Sequence, residues 1–333
     1  MTHTPLRVAI VGAGGWGRQH FRVFSSRQDT EVVAVFSRDR SKAEARAKGA
    51  GARGYDDLDR MLELEQPDLV SVCLPNTQHF EPTLRLIGWG IPLLVEKPLV
   101  FELDEGRRLI DAAAERELFF AINFNHRYAE PVRRAKHAVA AGDLGRLSFA
   151  TWRFGGEGGA DSGPHGNLIE TQCHGLDMLE HLAGPIDAVS AEMTDFAGRG
   201  HSTVAVALHF ASGAVGSLVG SYDSSYAYPS THLLELNGDA GRVVVTDTVK
   251  RYEFSRAGDE TRQVWEAGYF ADRQRAFEAT FDAHLDALVP ALVAGDPPPV
   301  PAAAGLRALQ LAHAIIRSSR EGTRVTIPPG QSS

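Results

Sequence analysis

The chain has 333 residues, more than the roughly 250–300 residues at which a single hydrophobic core stops growing, so we expect two domains. Hydrophobic residues make up 43% of the sequence and charged residues 23%, a composition typical of globular proteins that excludes a disordered or fibrous chain. The net charge is −8, and because the sequence has no basic stripe we expect no nucleic-acid partner.

The first third of the chain alternates short apolar runs with helical patterns, which predicts an α/β Rossmann domain with a parallel, doubly wound sheet over residues 1–123. The expected N-cap of its last helix is Asp104. The strands are predicted at Leu6–Val11, Val32–Phe36, Leu69–Leu74, Ile91–Val95 and Leu118–Ile122. The helices are predicted at Gly17–Arg27, Ser41–Lys48, Asp56–Glu65, His79–Trp89 and Asp104–Glu117.

Residues 124–333 have a different pattern, with strand-like runs separated by turn residues. They predict an α+β domain with a large open, mostly antiparallel sheet, whose last helix could pack back on the first domain. The helices are expected at Glu130–Ala141, Leu168–Leu182, Arg273–Ala294 and Ala303–Ser319. The strands are expected at Leu147–Phe154, Ala188–Phe196, Thr203–Phe210, Ala214–Tyr222, His232–Leu236, Arg242–Thr246 and Lys250–Phe254.

Two features bear on the surroundings of the protein. No apolar run approaches the roughly 18–20 residues of a membrane helix, and the first run lacks the long apolar region and cleavage site of a signal peptide. Cys73 and Cys173 form neither a disulfide framework nor a CxxC metal pair. We therefore expect a cytoplasmic protein without a membrane partner.

A glycine-rich hexapeptide follows the first strand and opens the first helix. It fits GxGxxG, in which glycines permit a tight turn, close approach of a pyrophosphate and close helix–strand packing. In this context the pattern predicts a dinucleotide site. Its residues are Gly12, Ala13, Gly14, Gly15, Trp16 and Gly17.

The end of the second strand selects between two dinucleotides. NAD sites usually carry a carboxylate there, bonded to the ribose, whereas this chain has Ser37 and Arg38. A hydroxyl and cations, including Lys42, suit the 2′-phosphate of NADP(H), so the pattern favours NADP(H). NAD(H) stays possible, because Asp39 could reach a ribose and the cations could simply begin a solvated helix.

Two clusters suit acid–base chemistry. Lys97, in Glu96-Lys97-Pro98, ends the fourth main strand, where ligands bind in such sheets and where desolvation could tune an amine. Glu170, His174, Asp177 and His181 share one face of a predicted helix. That face could hold a proton-transfer histidine oriented by a carboxylate. Metal ligation is the alternative, but no HExxH or cysteine pair supports it, so we expect no metal.

The ordered set of motifs resembles the glucose–fructose oxidoreductase/inositol dehydrogenase/MocA (Gfo/Idh/MocA) family along nearly the whole chain. The set comprises GxGxxG, Pro75-Asn76-x-x-His79, Glu96-Lys97-Pro98, Asn125-His126-Arg127-Tyr128 and the carboxylate-x-x-x-His-x-x-Asp helix. The resemblance implies a sugar, inositol or nucleotide-sugar oxidoreductase that uses NAD(H) or NADP(H) and forms a homodimer or homotetramer through its open sheet. It also implies Lys97 and His174 as the catalytic pair and a cis Lys97–Pro98 bond. The further cofactor contacts expected are Leu74, Pro75, Asn76, His79 and Glu96.

Glu170 departs from the aspartate of inositol dehydrogenases, which weakens the case for inositol as the substrate. Its longer side chain could orient His174 or hold a neighbouring hydroxyl. The loop Gly155–Gly166 and its flanks are either a wall of the sugar pocket or a mobile surface loop. The substrate contacts expected are Lys97, Arg127, Tyr128, Arg153, His165, Asn167, Glu170 and His174.

Three functions fit these residues. The first is a dehydrogenase or ketoreductase acting on a sugar or cyclic polyol. The second is an NAD-dependent glycosidase, which oxidises its sugar only transiently and accumulates no reduced cofactor. The third is a non-catalytic, dinucleotide-dependent regulator, against which the presence of both Lys97 and His174 argues.

Overall fold

A computed structural model of the chain describes residues 4–158, 163–196, 198, 200–268 and 276–328. The chain divides into two compact units. One comprises the residues up to Asn123 together with His284–Leu306, and the other comprises Phe124–Ala283 and the residues from Arg307 onward. Within the described ranges, no helix is both long and apolar enough to cross a membrane.

The sheet of the first unit is parallel throughout, in the order β3-β2-β1-β4-β5-β6, which confirms the predicted doubly wound architecture. The strands are β1 Leu6–Val11, β2 Thr30–Phe36, β3 Arg53–Tyr55, β4 Leu69–Val72, β5 Leu93–Val95 and β6 Phe120–Ile122. The helices are α1 Gly15–Ser25, α2 Arg40–Ala47, α3 Leu58–Glu65, α4 Phe80–Gly88 and α5 Leu103–Ala114. The short edge strand β3 was not predicted, because it has only one apolar side chain, that of Tyr55.

Burial explains why the strands of this unit read as continuous apolar runs. Val8, Ile10 and Val11 of β1 are fully buried although neighbouring side chains point to opposite sides of the sheet. One helix start differs from expectation: Glu102 is the N-cap of α5, and Asp104 lies in its first turn. An acid in that turn still complements the helix dipole.

The second unit holds a sheet in the order β14-β13-β12-β11-β7-β10-β9-β8-β15. Only the β7–β10 pair is parallel among the described strand pairs of this sheet, so the predicted open, mostly antiparallel sheet is confirmed. The strands are β7 Leu147–Gly155, β8 Ile186–Thr194, β9 Thr203–Phe210, β10 Val215–Ser221, β11 His232–Gly238, β12 Gly241–Thr246, β13 Arg251–Arg256, β14 Arg262–Glu266 and β15 Val325–Thr326.

The remaining helices are α6 Glu130–Ala140, α7 Cys173–Ala183, α8 Ala279–Ala294 and α9 Ala303–Glu321. The predicted helix Leu168–Leu182 is not one continuous α-helix, because a π-helical turn, Asn167–Thr171, precedes α7. Helix α8 begins after the expected start at Arg273, and residues 273–275 lie outside the described ranges.

Candidate active site

A cavity of about 1570 Å³ opens at the carboxyl ends of β1 and β4, within the first unit. The strand order reverses direction between these two strands, which is the usual ligand position in a doubly wound sheet. The predicted cofactor contacts that line this cavity are Gly12, Ala13, Gly14, Gly15, Trp16, Ser37, Arg38, Lys42, Leu74, Pro75 and Asn76. The predicted contacts outside its described lining are Gly17, His79, Glu96 and Lys97.

The glycines of the hexapeptide divide into two kinds. A Cβ on Gly12, whose φ is +121°, would lie 2.3 Å from the Cys73 carbonyl oxygen, and one on Gly17 would lie 1.8 Å from the Gly12 carbonyl oxygen. These two glycines therefore permit close packing of the turn. A Cβ on Gly14 or Gly15 would meet nothing within 4 Å. The backbone at the start of α1 is thus open to the cavity, as an approaching pyrophosphate requires.

The segment after β2, where the two dinucleotides are distinguished, places Ser37, Arg38 and Lys42 on the cavity wall. Asp39 is instead the N-cap of α2, where its carboxylate accepts hydrogen bonds from the Lys42 backbone N–H and the Ser41 hydroxyl. These bonds lower the pKa of Asp39, the Ser41 hydroxyl contributing most. Both bonds end on Oδ1, and Oδ2 lies 3.6 Å from the Lys42 ammonium.

The carboxylate of Glu96, the residue before Lys97, lies in a buried hydrogen-bonded cluster. Its Oε1 lies 2.8 Å from Nε2 of His20 and accepts a hydrogen bond from the Asn123 amide at 2.7 Å, while its Oε2 accepts the Lys97 backbone N–H at 3.1 Å. The other nitrogen of His20 lies 2.8 Å from the Ser71 hydroxyl. Glu96 therefore fixes the backbone at Lys97 from within the protein.

The pKa values of this cluster favour an ion pair. Burial opposes charge on His20, but its interactions with Cys73 and Glu96 outweigh burial and raise its pKa to about 10. Burial would likewise raise the pKa of Glu96, yet the hydrogen bond and charge of His20 hold it below the ordinary value. At neutral pH the pair is an imidazolium beside a carboxylate.

His79 connects the ends of two neighbouring strands. Its Nδ1 lies 2.8 Å from the Pro98 carbonyl oxygen and its Nε2 lies 3.0 Å from that of Leu74. Burial lowers the pKa of His79, against the hydrogen bonds to the Leu74 and Pro98 carbonyls, which raise it. The Lys97–Pro98 peptide bond is cis, as the family resemblance implied.

In the second unit, His174 is buried on α7 and lies against two aromatic rings. It stacks on His126, with ring centroids 3.8 Å apart and planes 7° from parallel, and meets Phe124 edge-on at 5.9 Å. The ring plane of His174 is thus set by packing. His126 was not among the predicted site residues, although its position in the Asn125–Tyr128 motif was an available signal.

Helix α7 is fixed against the sheet by one close contact. A Cβ on Gly175 would lie 2.3 Å from Nε1 of Trp152, so glycine is needed beside the indole. That indole N–H donates to the Gln172 side chain at 3.2 Å. The residue after His174 therefore holds the helix close to β7.

Arg127 forms a bidentate ion pair with Asp177, with N–O distances of 2.8 and 2.5 Å. Burial raises the pKa of Asp177 more than the Arg127 charge lowers it. The guanidinium is thus occupied in positioning α7, and burial raises the pKa of the neighbouring Tyr128 to about 12.

The other expected substrate contacts have structural partners. Asn167 is buried and its amide N–H groups donate to the carbonyls of Ser202 and Gly220. His165 stacks on His201 at 4.8 Å, and Arg153 donates to the Ser230 carbonyl at 2.9 Å. Part of the loop predicted at Gly155–Gly166, residues 159–162, lies outside the described ranges.

Glu170 is buried in the π-helical turn that leads to α7. Among the described residues, no group of three or more histidine, cysteine, aspartate and glutamate side chains is arranged to hold a metal ion. His181 lies farther along α7, where burial and the charges of Arg127 and Lys136 lower its pKa to about 3.

Comparison with known proteins identifies the family. Residues 6–124 match the oxidoreductase family with an NAD-binding Rossmann fold, and residues 136–327 match the C-terminal alpha/beta domain of the same family. The chain therefore belongs to the Gfo/Idh/MocA oxidoreductase family. Its first unit is an NAD-binding Rossmann domain.

Individual relatives agree with this assignment. D-glucoside 3-dehydrogenase of Escherichia coli (strain K12) is 34% identical over 195 residues, which cover 55% of this chain and 56% of that protein. Inositol 2-dehydrogenase of Rubrobacter xylanophilus is 26% identical over segments covering 95% of this chain and 92% of that protein. The fold matches levoglucosan dehydrogenase, solved with NADH and levoglucosan, with a TM-score of 0.88, 19% identity and coverage of 98% of this chain and 100% of that one.

Proposed function

We propose that the protein is an NAD(P)-dependent dehydrogenase or ketoreductase acting on a CH–OH carbon of a sugar, polyol or sugar derivative. One observation carries the proposal: the buried His20–Glu96 pair fixes the backbone of Lys97 just after β5, the neighbour of β4, at whose carboxyl end the glycine-lined cavity opens. A lysine held there suits proton chemistry on a substrate of a nicotinamide cofactor.

The glycine turn would hold the pyrophosphate of the cofactor, and Leu74, Pro75 and Asn76 would line the cavity toward its other end. When bound, the nicotinamide supplies the acceptor or donor of hydride. Lys97 donates a hydrogen bond to the substrate oxygen and stabilises negative charge on it. His174 takes the hydroxyl proton during oxidation and returns it during reduction.

Glu170 orients His174 or binds a hydroxyl next to the reacting one. Arg127 and Asn167 act through α7 and its preceding turn, because their polar groups bond Asp177 and backbone carbonyls. Arg153, His165 and Tyr128 are proposed to border the sugar. Glu96 and His79 support the cofactor side of the site by fixing the loops after β5 and β4.

NADP(H) is the preferred cofactor in this proposal. Arg38 and Lys42 line the cavity, while Asp39 is bonded within its helix cap. Cations at that wall attract a 2′-phosphate, and the Asp39 carboxylate is bonded to the Ser41 hydroxyl and lies 3.6 Å from the Lys42 ammonium. Relatives named for glucoside and inositol substrates support a sugar or cyclic polyol as substrate.

A homodimer or homotetramer is proposed to form through the open face of the second sheet. Val215 and Val219 of β10 are 54% and 38% exposed, and Ala205 and Ala207 of β9 are also exposed. Apolar side chains on a solvent-facing sheet surface are typical of a subunit contact. Light scattering at micromolar concentration would give a multiple of the chain mass, and the mass of one chain would contradict this.

The proposed function is tested by incubating the protein with a panel of sugars and polyols and each cofactor in turn. Net accumulation of reduced nicotinamide with at least one sugar is expected. Release of an aglycone without reduced nicotinamide would identify a glycosidase with transient redox chemistry instead. Cofactor binding without turnover of any sugar or keto-sugar would identify a regulator.

A further inference from the structure

The segment after β10 carries exposed aromatic side chains. Tyr226 and Tyr228 are 57% and 63% exposed, while Tyr222 is half-buried. Large aromatic side chains exposed together on one loop usually mark a contact surface, because each leaves apolar area in water.

Two of these rings rest on glycine backbone. A Cβ on Gly156 would lie 2.4 Å from the ring of Tyr226, and a Cβ on Gly158 would lie 1.9 Å from the ring of Tyr222. With a Cβ at either position, the tyrosine ring would have to move away from the backbone. One side of the Tyr226 ring is therefore supported by the chain, although more than half of the residue is exposed. We call Tyr222 and Tyr226 the aromatic shelf.

The shelf is held in place by hydrogen bonds around its loop. The Asp223 carboxylate accepts from the hydroxyls of Ser202 and Thr203, each at 2.7 Å. The Ser225 hydroxyl donates to Glu157 at 2.6 Å. Binding to a loop fixed in this way loses little conformational entropy.

The shelf adjoins the proposed substrate residues. The Tyr222 hydroxyl is hydrogen-bonded to that of Thr171 at 2.7 Å, in the turn that carries Glu170. Burial, opposed by the Thr171 bond and assisted by the Glu170 charge, raises the pKa of Tyr222 to about 12. The phenol is thus neutral beside the site and offers a ring and a hydroxyl.

We propose that the aromatic shelf binds a second ring of the substrate, so that the preferred substrate is a glycoside with a second sugar ring and not a free monosaccharide or inositol. A pyranose has one face rich in C–H groups, which packs on an aromatic ring, and hydroxyls around its edge. Glu157 lies at the edge of the shelf and can accept a hydrogen bond from such a hydroxyl. This proposal rests on the proposed function, because it places the reacting ring beside Glu170.

The test compares disaccharides (cellobiose, maltose and lactose) with the methyl glycosides of glucose and galactose, using the full-length protein and its cofactor. Tyr226→Ala should reduce the ratio of kcat/KM for the disaccharide to kcat/KM for the methyl glycoside roughly tenfold, the loss of one aromatic contact. Tyr226→Phe, which retains the ring, should change that ratio much less. Trp89→Ala removes another exposed aromatic residue, in the first unit, and should leave the ratio unchanged.

An unchanged ratio in Tyr226→Ala, or an equal loss for both kinds of sugar, would overturn the proposal. So would a drop in oligomer mass for this variant, since the shelf would then be a subunit contact. If the wild type oxidises no sugar, the proposed function fails. Calorimetric titration with cellobiose then tests separately whether the aromatic shelf binds a sugar. Weaker binding to Tyr226→Ala than to the wild type would support it, and equal or absent binding would refute it.

Discussion

Each unit contains a buried ion pair close in sequence to a proposed catalytic residue, and the two pairs differ in how they can lose charge. In the first unit Glu96 pairs with His20, and in the second Asp177 pairs with Arg127. The pKa of Glu96 is lowered, whereas that of Asp177 is raised. Both carboxylates are buried, so burial alone does not explain the difference.

The difference follows from the hydrogen-bond donors and the neighbouring charges. Glu96 receives three donors, from His20, Asn123 and the Lys97 backbone. Asp177 is paired with one guanidinium, and the charge of Glu180 opposes its ionisation. His20 can release its proton, but Arg127 cannot. In the first pair the cation, His20, can therefore become neutral, whereas in the second pair only the carboxylate, Asp177, can.

The largest expected effect lies at the two side chains that these pairs support. Lys97→Ala and His174→Ala should each lower turnover of the true substrate by roughly 10²–10⁴-fold, the usual span for a lost acid–base group. Steady-state kinetics measure turnover, and fluorescence titration of the reduced cofactor checks that cofactor binding survives. If both variants keep nearly full turnover, the proton chemistry lies elsewhere.

The next effect separates the two ion pairs by stability. Asp177→Asn should destabilise the protein by about 3–5 kcal/mol, because it leaves a largely buried guanidinium that cannot be neutralised. Glu96→Gln should cost less, since His20 can become neutral. Urea unfolding of both variants measures the difference, and Arg127→Met/Asp177→Leu is the control that removes both charges. Equal losses in the two single variants would show that the ability of His20 to lose its proton does not reduce the cost of breaking its pair.

The two pairs should also differ in how the stability of the protein depends on pH. The folded-state pKa of His20, about 10, lies above its ordinary value of 6.5, so the stabilisation from its charge is complete below pH 6.5 and is lost as the pH rises toward 10. The free energy of unfolding of the wild type should fall over this interval. His20→Gln should have a shallower slope there, measured by urea unfolding at several pH values, whereas Asp177→Asn should retain the wild-type slope.

The two units also differ in what their sequence reveals. The hexapeptide and Glu96-Lys97-Pro98 are local motifs, and β1 was predicted with its observed bounds, because a strand buried on both faces reads as a continuous apolar run. The stack of His126 on His174 joins residues that are 48 positions apart in the sequence. No periodicity encodes such a contact, and the π-helical turn at Asn167–Thr171 likewise depends on tertiary packing.

Asp177 and Asn167 illustrate the same limit. The helix pattern placed Asp177 on the polar face, but its bond to Arg127 depends on how α7 meets the turn Asn125–Tyr128. Asn167 was predicted as a substrate contact because it flanks the loop Gly155–Gly166. Its amide N–H groups are bonded to the backbone carbonyls of Ser202 and Gly220, contacts that the sequence does not indicate.

The smallest expected effect concerns cofactor choice in the first unit. Arg38→Ala should weaken NADP(H) binding by about 1.5–3 kcal/mol, the worth of a hydrogen bond to a charged group, and should change NAD(H) binding little. Titration of both cofactors measures this. Asp39→Asn is the matched control, because asparagine also caps helices and removes the only charge that Asp39 could present to a ribose.

If Asp39 acts only as the cap of α2, Asp39→Asn leaves NAD(H) affinity close to that of the wild type. A marked loss of NAD(H) affinity in Asp39→Asn, with equal weakening of both cofactors in Arg38→Ala, would mean that the carboxylate leaves its cap to bind a free 2′-hydroxyl. The cap bonds to Ser41 and Lys42 oppose that movement, because both donors are bonded to Oδ1 and would be lost if the whole carboxylate turned away from the start of α2. The cations on the cavity wall would then have no phosphate to bind, and NAD(H) would be the cofactor.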